Sequence, residues 1–403
     1  MRLTLLLAGI LAITNPVLAQ DTASSSEAAS LETAGRYEDA LAAYQRLANA
    51  NPRDHEARLA IARLEERLGH PDRAETVFRS VMLEDPTSVE ATLGTGRTLI
   101  EQLHPEDAID VLAAAERLAP QDPDVLSALG RAHRDAGHTG ESLRYFERAA
   151  AASTTAGQRL MLERARAGHD HRIESRSFGE QYNGSTPDAR ATDLAVNFRV
   201  NDAVRVGARG QYQRKFDVSD ARGGAGIEWR HTAYTTFAAQ ALIGPDNEVL
   251  PRRDIFGEAA YRYGSWVSSG NVRYFGFDGA HMTTFSPAVT FQPGDRLSLS
   301  LRYAFSLTGV DGFDGSTDGH TGQLRGSWLL RPRVTILAGY SYGIDDFDAL
   351  SIDRVGAFTA HTGSAGVRVD LRTLTSLGAV YQYQSRDAGV RLQRLTVTIG
   401  QSF

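Results

Sequence analysis

Three arginines, Arg63, Arg97 and Arg131, recur at intervals of 34 residues. A guanidinium presents a planar fork of donors, so such a ladder suits a partner carrying carboxylate, sulfate or phosphate. The alternative is that each rung is neutralised by a nearby acid on a solvated face, with Glu66, Glu101 and Asp135 as candidates. A second set comprises Arg199, Arg205, Arg209, Arg230, Arg262, Arg302, Arg325, Arg368 and Arg394. It is interleaved with Asp193, Glu228, Glu258 and Asp370. If these side chains share one interior, they either hold or pass an anionic chain, or pair with one another and fill the space.

Signals for bond-making chemistry are sparse. His281, His320 and His361 fall near expected strand ends, with Ser and Asp nearby by composition alone. We read no nucleophile elbow, no His-Glu-x-x-His and no ordered triad spacing, so no catalytic residues are assigned. His169-Asp170-His171 offers too few ligands for a metal site, and no cofactor is implied. Two acid-rich stretches are expected as loops. Residues 310–319 carry Asp311, Asp314 and Asp318, and residues 344–354 carry Asp345, Asp346, Asp348 and Asp353. Oxygen-rich loops attract Ca²⁺, but the first lacks the terminal Glu of an EF-hand, and solvated turn chemistry accounts for both.

The elements that position these groups fall into two grammars. From 21 to 156 the chain repeats every 34 residues. Pro52, Pro86 and Pro120 share one phase; Ala40, Ala74, Ala108 and Ser142 another; Tyr44, Phe78, Leu112 and Phe146 a third. Gly35, Gly69 and Gly137 mark turns, with Leu103 in the remaining place, and Ala28, Ala62, Gly96 and Gly130 supply small residues for close helix approach. These series resemble tetratricopeptide repeats, at 21–54, 55–88, 89–122 and 123–156 with a capping helix near 156–167. Each helix pair buries its apolar face only by stacking on its neighbours, which implies a partner-binding solenoid.

From about residue 169, segments of some ten residues alternate with period two. In 296–307, Leu297, Leu299, Leu301, Tyr303, Phe305 and Leu307 face one way, and Arg296, Ser298, Ser300, Arg302, Ala304 and Ser306 the other. We count fourteen segments, starting near 171, 189, 203, 223, 234, 254, 266, 281, 295, 319, 334, 356, 373 and 390, with twelve as the alternative. Every even-numbered segment is followed by a tight turn, and the intervening connections are expected to be longer or richer in acid and glycine. That parity resembles bacterial outer-membrane barrels, which have short periplasmic turns and long external loops. A soluble β-sandwich also alternates, but lacks this parity. The stretch 392–403 ends on Phe403, which resembles the signal read by the barrel assembly machinery, although Gln401 breaks its apolar face.

The first residues read as a secretory signal: Arg2, an apolar run over 3–13, and Ala19 before the expected cleavage point. The run is too short to span a bilayer as a retained anchor. There are no cysteines, which excludes disulfides and thiol-based metal or redox sites. A net charge of −6 with mixed signs gives no footprint for nucleic acid. The expected organisation is a signal peptide at 1–19, a periplasmic tetratricopeptide domain at 20–168 and an outer-membrane barrel at 169–403.

The barrel half resembles the YaiO family of outer-membrane proteins. The resemblance is carried by Val249-Leu250-Pro251-Arg252-Arg253, by Tyr261 and Tyr263, by Asn271-Val272-Arg273-Tyr274-Phe275, and by Pro293-Gly294 leading to Leu301-Arg302-Tyr303. The combined architecture is similar to exopolysaccharide export porins and surface lipoprotein assembly modifiers. It implies a non-enzymatic role in export or assembly of surface material. The expected partners are outer-membrane lipids, the assembly machinery, and a periplasmic protein or anionic polysaccharide. A plugged barrel anchoring a partner-binding domain and a lipid-modifying enzyme are the competing expectations.

Overall fold

The computed structural model describes residues 25–403 except 154, 170, 184–187, 294–295, 345, 348–349, 356–358 and 372–373. The expected signal peptide at 1–19 therefore lies outside the described residues. The fold is an all-α tetratricopeptide solenoid followed by a closed antiparallel barrel of fourteen strands. The chain divides into two compact units between Thr98 and Leu99.

Helices α1 (Ser25–Thr33), α2 (Tyr37–Ala50), α3 (His55–Arg67), α4 (Pro71–Glu84) and most of α5 (Val89–Glu101) form the first unit. Their turns follow from the repeat. Gly35 and Gly69 adopt φ of 74° and 82°, a left-handed conformation that glycine enters without a Cβ clash. Pro71 occupies the first turn of α4, where a missing N–H costs nothing, and the Asp54 carboxylate caps α3 by accepting from Ala57 N–H at 3.0 Å. Phe78 is fully buried against α5, and a Cβ on Gly94 would stand 2.5 Å from its ring. Helices α3 and α4 are also clasped by Glu84, which receives Arg58 at 2.7 and 2.9 Å and His55 at 3.1 Å. Those hydrogen bonds hold its carboxyl down at about 2.

The second unit begins with the end of α5 and continues through α6 (Pro105–Leu118), α7 (Pro123–Asp135), α8 (Thr139–Ala152) and α9 (Ala156–His169). Ser142 stands where the other repeats have alanine. It is buried, and its hydroxyl donates to the Gly130 carbonyl at 2.7 Å, which satisfies the added polar group.

The barrel runs β1 (Arg172–Tyr182), β2 (Ala189–Arg199), β3 (Val204–Lys215), β4 (Val218–Arg230), β5 (Thr235–Ile243), β6 (Arg253–Tyr263) and β7 (Trp266–Gly276). It continues with β8 (Ala280–Phe291), β9 (Leu297–Val310), β10 (Ser316–Arg331), β11 (Val334–Tyr342), β12 (Ala360–Asp370), β13 (Thr375–Arg386) and β14 (Arg391–Ser402). Each strand pairs antiparallel with its sequence neighbours, and β1 closes on β14 from Arg172↔Ser402 to Tyr182↔Leu392. Outward residues such as Leu301, Tyr303, Trp328, Tyr340, Leu395 and Val397 leave a broad apolar belt exposed. Such a belt on a closed barrel fits an outer-membrane protein. No described helix is long and apolar enough to cross a membrane.

Two connections differ from expectation. Strand β4 begins at Val218, not near 223, because Phe216 and Asp217 adopt φ of 55° and 62° and form a two-residue hairpin. The stretch 308–319 is mostly strand: β9 and β10 extend to Gly309↔Ser316, and left-handed Gly312 and Gly315 confine the turn. Strand β12 begins at Ala360, and residues 356–358, where its start is expected, lie outside the described residues.

Two outcomes are expected in the first unit. Gly94→Leu drives its side chain into Phe78 and lowers stability by about 1–3 kcal/mol, readable in urea unfolding. Glu84 has a depressed folded-state carboxyl, so its contribution is present above the unfolded value near 4.5 and fades as pH falls towards 2. Glu84→Gln removes that part of the acid dependence, measured as thermal midpoint against pH.

Candidate functional site: a plugged lumen above an arginine-lined chamber

Along β1, residues 172, 174, 176, 178, 180 and 182 face inward by strand parity, and the same rule fills the barrel with polar side chains from every strand. Their fate differs at the two ends.

At the long-loop end, two connections turn into the lumen. After β11, Ile344, Phe347 and Leu350 pack against Phe275, Met282 and Ala304, forming a buried apolar cluster. Ile352 N–H donates to the Val249 carbonyl at 2.9 Å, joining this segment to the connection between β5 and β6. That second connection is held by Asp220, whose carboxylate accepts from Val249 N–H at 2.6 Å and Leu250 N–H at 2.7 Å. The acid-rich stretch expected as a solvated loop is thus turned inward at Asp353, because Ile344, Phe347 and Leu350, spaced among its acids, find a cover inside. Asp345 and Asp348 lie outside the described residues.

Ion pairs tie this plug across the barrel. Arg354 is fully buried and donates to Glu180 of β1 at 3.1 Å. Arg394 of β14 reaches the same carboxylate through Nε at 2.9 Å. Lys215 of β3 donates to Asp353 at 2.9 Å and to Ser351 at 3.0 Å, and Arg386 of β13 donates to Asp353 at 3.0 Å. Gln323 of β10 donates to the Ile344 carbonyl at 2.9 Å. A second cluster joins Asp254 to Arg273 at 2.7 and 2.8 Å and to Arg222 at 2.8 Å. Charges this deep persist only when paired, and here each carboxylate meets at least two cations. Lys215, Arg222, Arg273, Asp353 and Arg354 were not assigned from sequence. The Asn271-Val272-Arg273 alternation carried the signal for Arg273.

The lumen arginines that were assigned fall along this gradient. Arg209 pairs with Asp193 at 2.7 Å. Arg205 lies opposite Glu228 in register, and Glu258 accepts from Asn271 at 3.4 Å. Arg302 and Arg325 face inward from β9 and β10, and Arg368 lies 3.6 Å from Asp370. Arg199 donates to the Thr139 hydroxyl of α8 at 2.5 Å.

At the short-turn end the helices of the second unit meet the barrel. Asp202, in the turn after β2, accepts from Thr139 at 2.6 Å and caps α8 through Gly140 N–H. Arg230 donates to the Gly137 carbonyl at 3.3 Å, and Arg333 pairs with Glu163 of α9 at 2.5 Å. Tyr234 donates to the Leu103 carbonyl at 2.7 Å. Leu103 is the non-glycine turn residue, held at φ 65°. Its side chain lies 3.6 Å from the point a Cβ on Gly264 would occupy, against the turn between β6 and β7. A left-handed leucine costs about 1–2 kcal/mol, here offset by that docking.

Between these helices and the strand ends lie two adjoining cavities of about 700 and 670 Å³. Arg131, Arg134 and Gln292 line both. Arg230 and Arg262 line the first, and Arg164, Arg296 and Arg368 the second. A third cavity, of about 410 Å³, is mixed in charge, with Arg205 and Arg209 beside Asp193 and Glu228.

The repeat arginines do not share one fate. Arg63 of α3 pairs with Glu90 of α5, and Arg97 of α5 pairs with Glu66 of α3 at 2.6 Å. These bonds run between repeats, not within one helix. Arg131 forms no ion pair among the described residues, and Asp135 is taken by Arg134 at 2.9 Å.

The remaining assigned groups are structural in their contacts. His281, His320 and His361 face outward from β8, β10 and β12. His320 bonds Tyr303 at 2.6 Å and Asp318 at 3.2 Å, and His361 bonds Tyr340 at 2.7 Å. The segment Gly339-Tyr340-Ser341-Tyr342-Gly343 does have nucleophile-elbow spacing, contrary to our reading. Ser341, however, lies buried within β11, paired on both sides, not on a strand-to-helix turn. His171 exchanges backbone hydrogen bonds with Phe403 at 2.9 and 3.0 Å, and its ring packs near Phe403 and Phe198. Asp170 lies outside the described residues, and among those described no group of three His, Cys, Asp or Glu is placed to hold a metal.

Comparisons with known proteins locate the repeats. A tetratricopeptide-repeat family model matches residues 31–91 and 67–132. Human protein O-mannosyl-transferase TMTC1 is 33% identical over 95 residues, which is 24% of this chain and 11% of that protein. The chain thus spans a small part of that relative. Among solved structures, a thermophilic tetratricopeptide protein of Thermus thermophilus is 22% identical, over 35% of this chain and 78% of its own, with a TM-score of 0.33. MamA of Desulfovibrio magneticus is also 22% identical, over 36% and 81% respectively, with a TM-score of 0.33. The repeats support protein–protein interaction in general.

Removing the plug's central acid tests its role. Asp353→Asn leaves Lys215 and Arg386 without that carboxylate and is expected to weaken seating of the segment around Leu350–Arg354 by about 3 kcal/mol. Limited trypsin digestion should then cut at Arg354 faster, with the barrel itself still intact on semi-native gels.

Proposed function

We propose that this chain is a non-enzymatic outer-membrane protein, related to the YaiO family, that takes part in export or assembly of surface material such as exopolysaccharide. In this reading residues 1–19 are a cleaved signal peptide, residues 20–168 stand in the periplasm as a partner-binding scaffold, and residues 169–403 span the outer membrane. The observation that carries it is the docking of repeat helices on the short-turn mouth of a closed, apolar-belted barrel. Short turns face the periplasm in outer-membrane barrels, so the scaffold stands where periplasmic partners would deliver cargo. The plug then acts as a gate at the far end.

A second reading is favoured by the same plug. Cross-lumen ion pairs and an apolar cluster suit a barrel that serves only as an anchor for the scaffold. Conductance separates the two. Deleting residues 344–355 is expected to convert silent or brief openings in planar bilayers to sustained ones, with the intact chain as reference. Silence of the folded deletion variant leaves the anchor and sinks the export reading. A lipid-modifying enzyme would need a nucleophile beside one of the outward histidines. Phospholipid turnover in detergent is expected to stay at background and to be unchanged by His320→Ala.

A further inference from the structure

We propose that the chamber at the short-turn end is a binding site for an acidic glycan segment, formed jointly by helices α7 and α9 and the lumen-facing ends of the strands. This rests on the export reading for its cargo and adds where, and by what chemistry, that cargo is held.

Three observations converge. The two cavities share Arg131, Arg134 and Gln292 and so adjoin as one space large enough for several sugar rings. Second, its charge is unbalanced. Among the described residues Arg131, Arg262 and Arg296 form no ion pair, and the lining acids are Glu101, Asp135 and Asp370, the last two already beside Arg134 and Arg368, so arginines outnumber acids around the space. The plug end of the same barrel pairs its deep charges, so the imbalance is local. Like charges brought together on separate elements repel, and a bound polyanion removes that repulsion. Third, the repeat itself singles out this rung. Arg63 and Arg97 occupy the equivalent positions and are spent on Glu90 and Glu66, whereas Arg131 opens into the chamber.

The rest of the lining selects for a glycan over an acidic peptide. Thr236, Ser265 and Gln292 in one cavity, and Ser298, Ser327 and Thr335 in the other, present hydroxyl and amide groups suited to sugar hydroxyls. Tyr234 adds an aromatic face.

The test uses the full chain in detergent and polygalacturonate oligosaccharides as probe, followed by calorimetry. Saturable binding that weakens with added salt is expected, with neutral dextran oligosaccharides inert. Arg131→Gln combined with Arg262→Gln should weaken binding at least tenfold, and Arg63→Gln should leave it unchanged. Arg262→Gln alone serves if the double variant does not fold, with a threefold or greater loss expected. Absence of saturable binding by folded protein, equal binding by the variants, or tighter binding of poly-glutamate than of polygalacturonate would each overturn the proposal. The two levels separate cleanly. Binding that meets these criteria, in cells whose surface glycan is unaffected by deleting the gene, removes the export reading and keeps the site. Loss of surface glycan on deletion, with no binding in solution, does the reverse.

Discussion

The structure depends on one closure, the pairing of β1 with β14. A strand edge in lipid leaves a row of N–H and C=O groups without partners, each costing several kcal/mol. Eleven register pairs, from Arg172↔Ser402 to Tyr182↔Leu392, remove that edge. His171 and Phe403 extend the ladder by one more reciprocal exchange. The same seam places Glu180 next to Arg394, so the strand that closes the cylinder also supplies the carboxylate on which the plug is seated. Closure and occlusion are therefore coupled through one residue.

Charge is sorted along the barrel axis. At the plug, each deep carboxylate collects several cations, and an apolar cluster around Phe275 and Leu350 packs in the same end of the barrel. In the middle, Arg209 with Asp193 and Arg205 opposite Glu228 strike an approximate balance. At the helix-bearing mouth arginines predominate. A uniform set of interior arginines would suggest one function for all. Their partners divide them into Arg394, which holds the plug, Arg209, which pairs within the wall, and Arg262 at the mouth, which forms no ion pair among the described residues.

Periodicity made most of the fold legible, because both repeats and strands report their burial through spacing alone. The 34-residue phase located the helix turns, including the odd Leu103, and turn parity separated the two ends of the barrel. What escaped was non-periodic. The hairpin at Phe216-Asp217 carries no glycine, so the sequence pattern starts β4 late and leaves Arg222 outside it. The plug reads as a loop in the sequence because its acids are conspicuous and its apolar residues belong to no strand pattern. Arg97 and Glu66 are 31 residues apart, a contact that exists only once helices from successive repeats stack. Gly339–Gly343 has the spacing of a nucleophile elbow, but its Ser341 sits within the paired strand β11, and only Gly343, past the strand's end, is left-handed.

Leu103 has a consequence for how such a chain can change length. Solenoids gain and lose whole repeats readily, since each unit contacts only its neighbours. The third repeat here is no longer generic: its turn is bent into a leucine conformation that fits Tyr234 and Gly264 of the barrel. Repeats on the C-terminal side of that turn are bound to the barrel's geometry and cannot be duplicated without undoing the dock. Variation in reach is therefore left to the repeats before it, at the N-terminal end of the array.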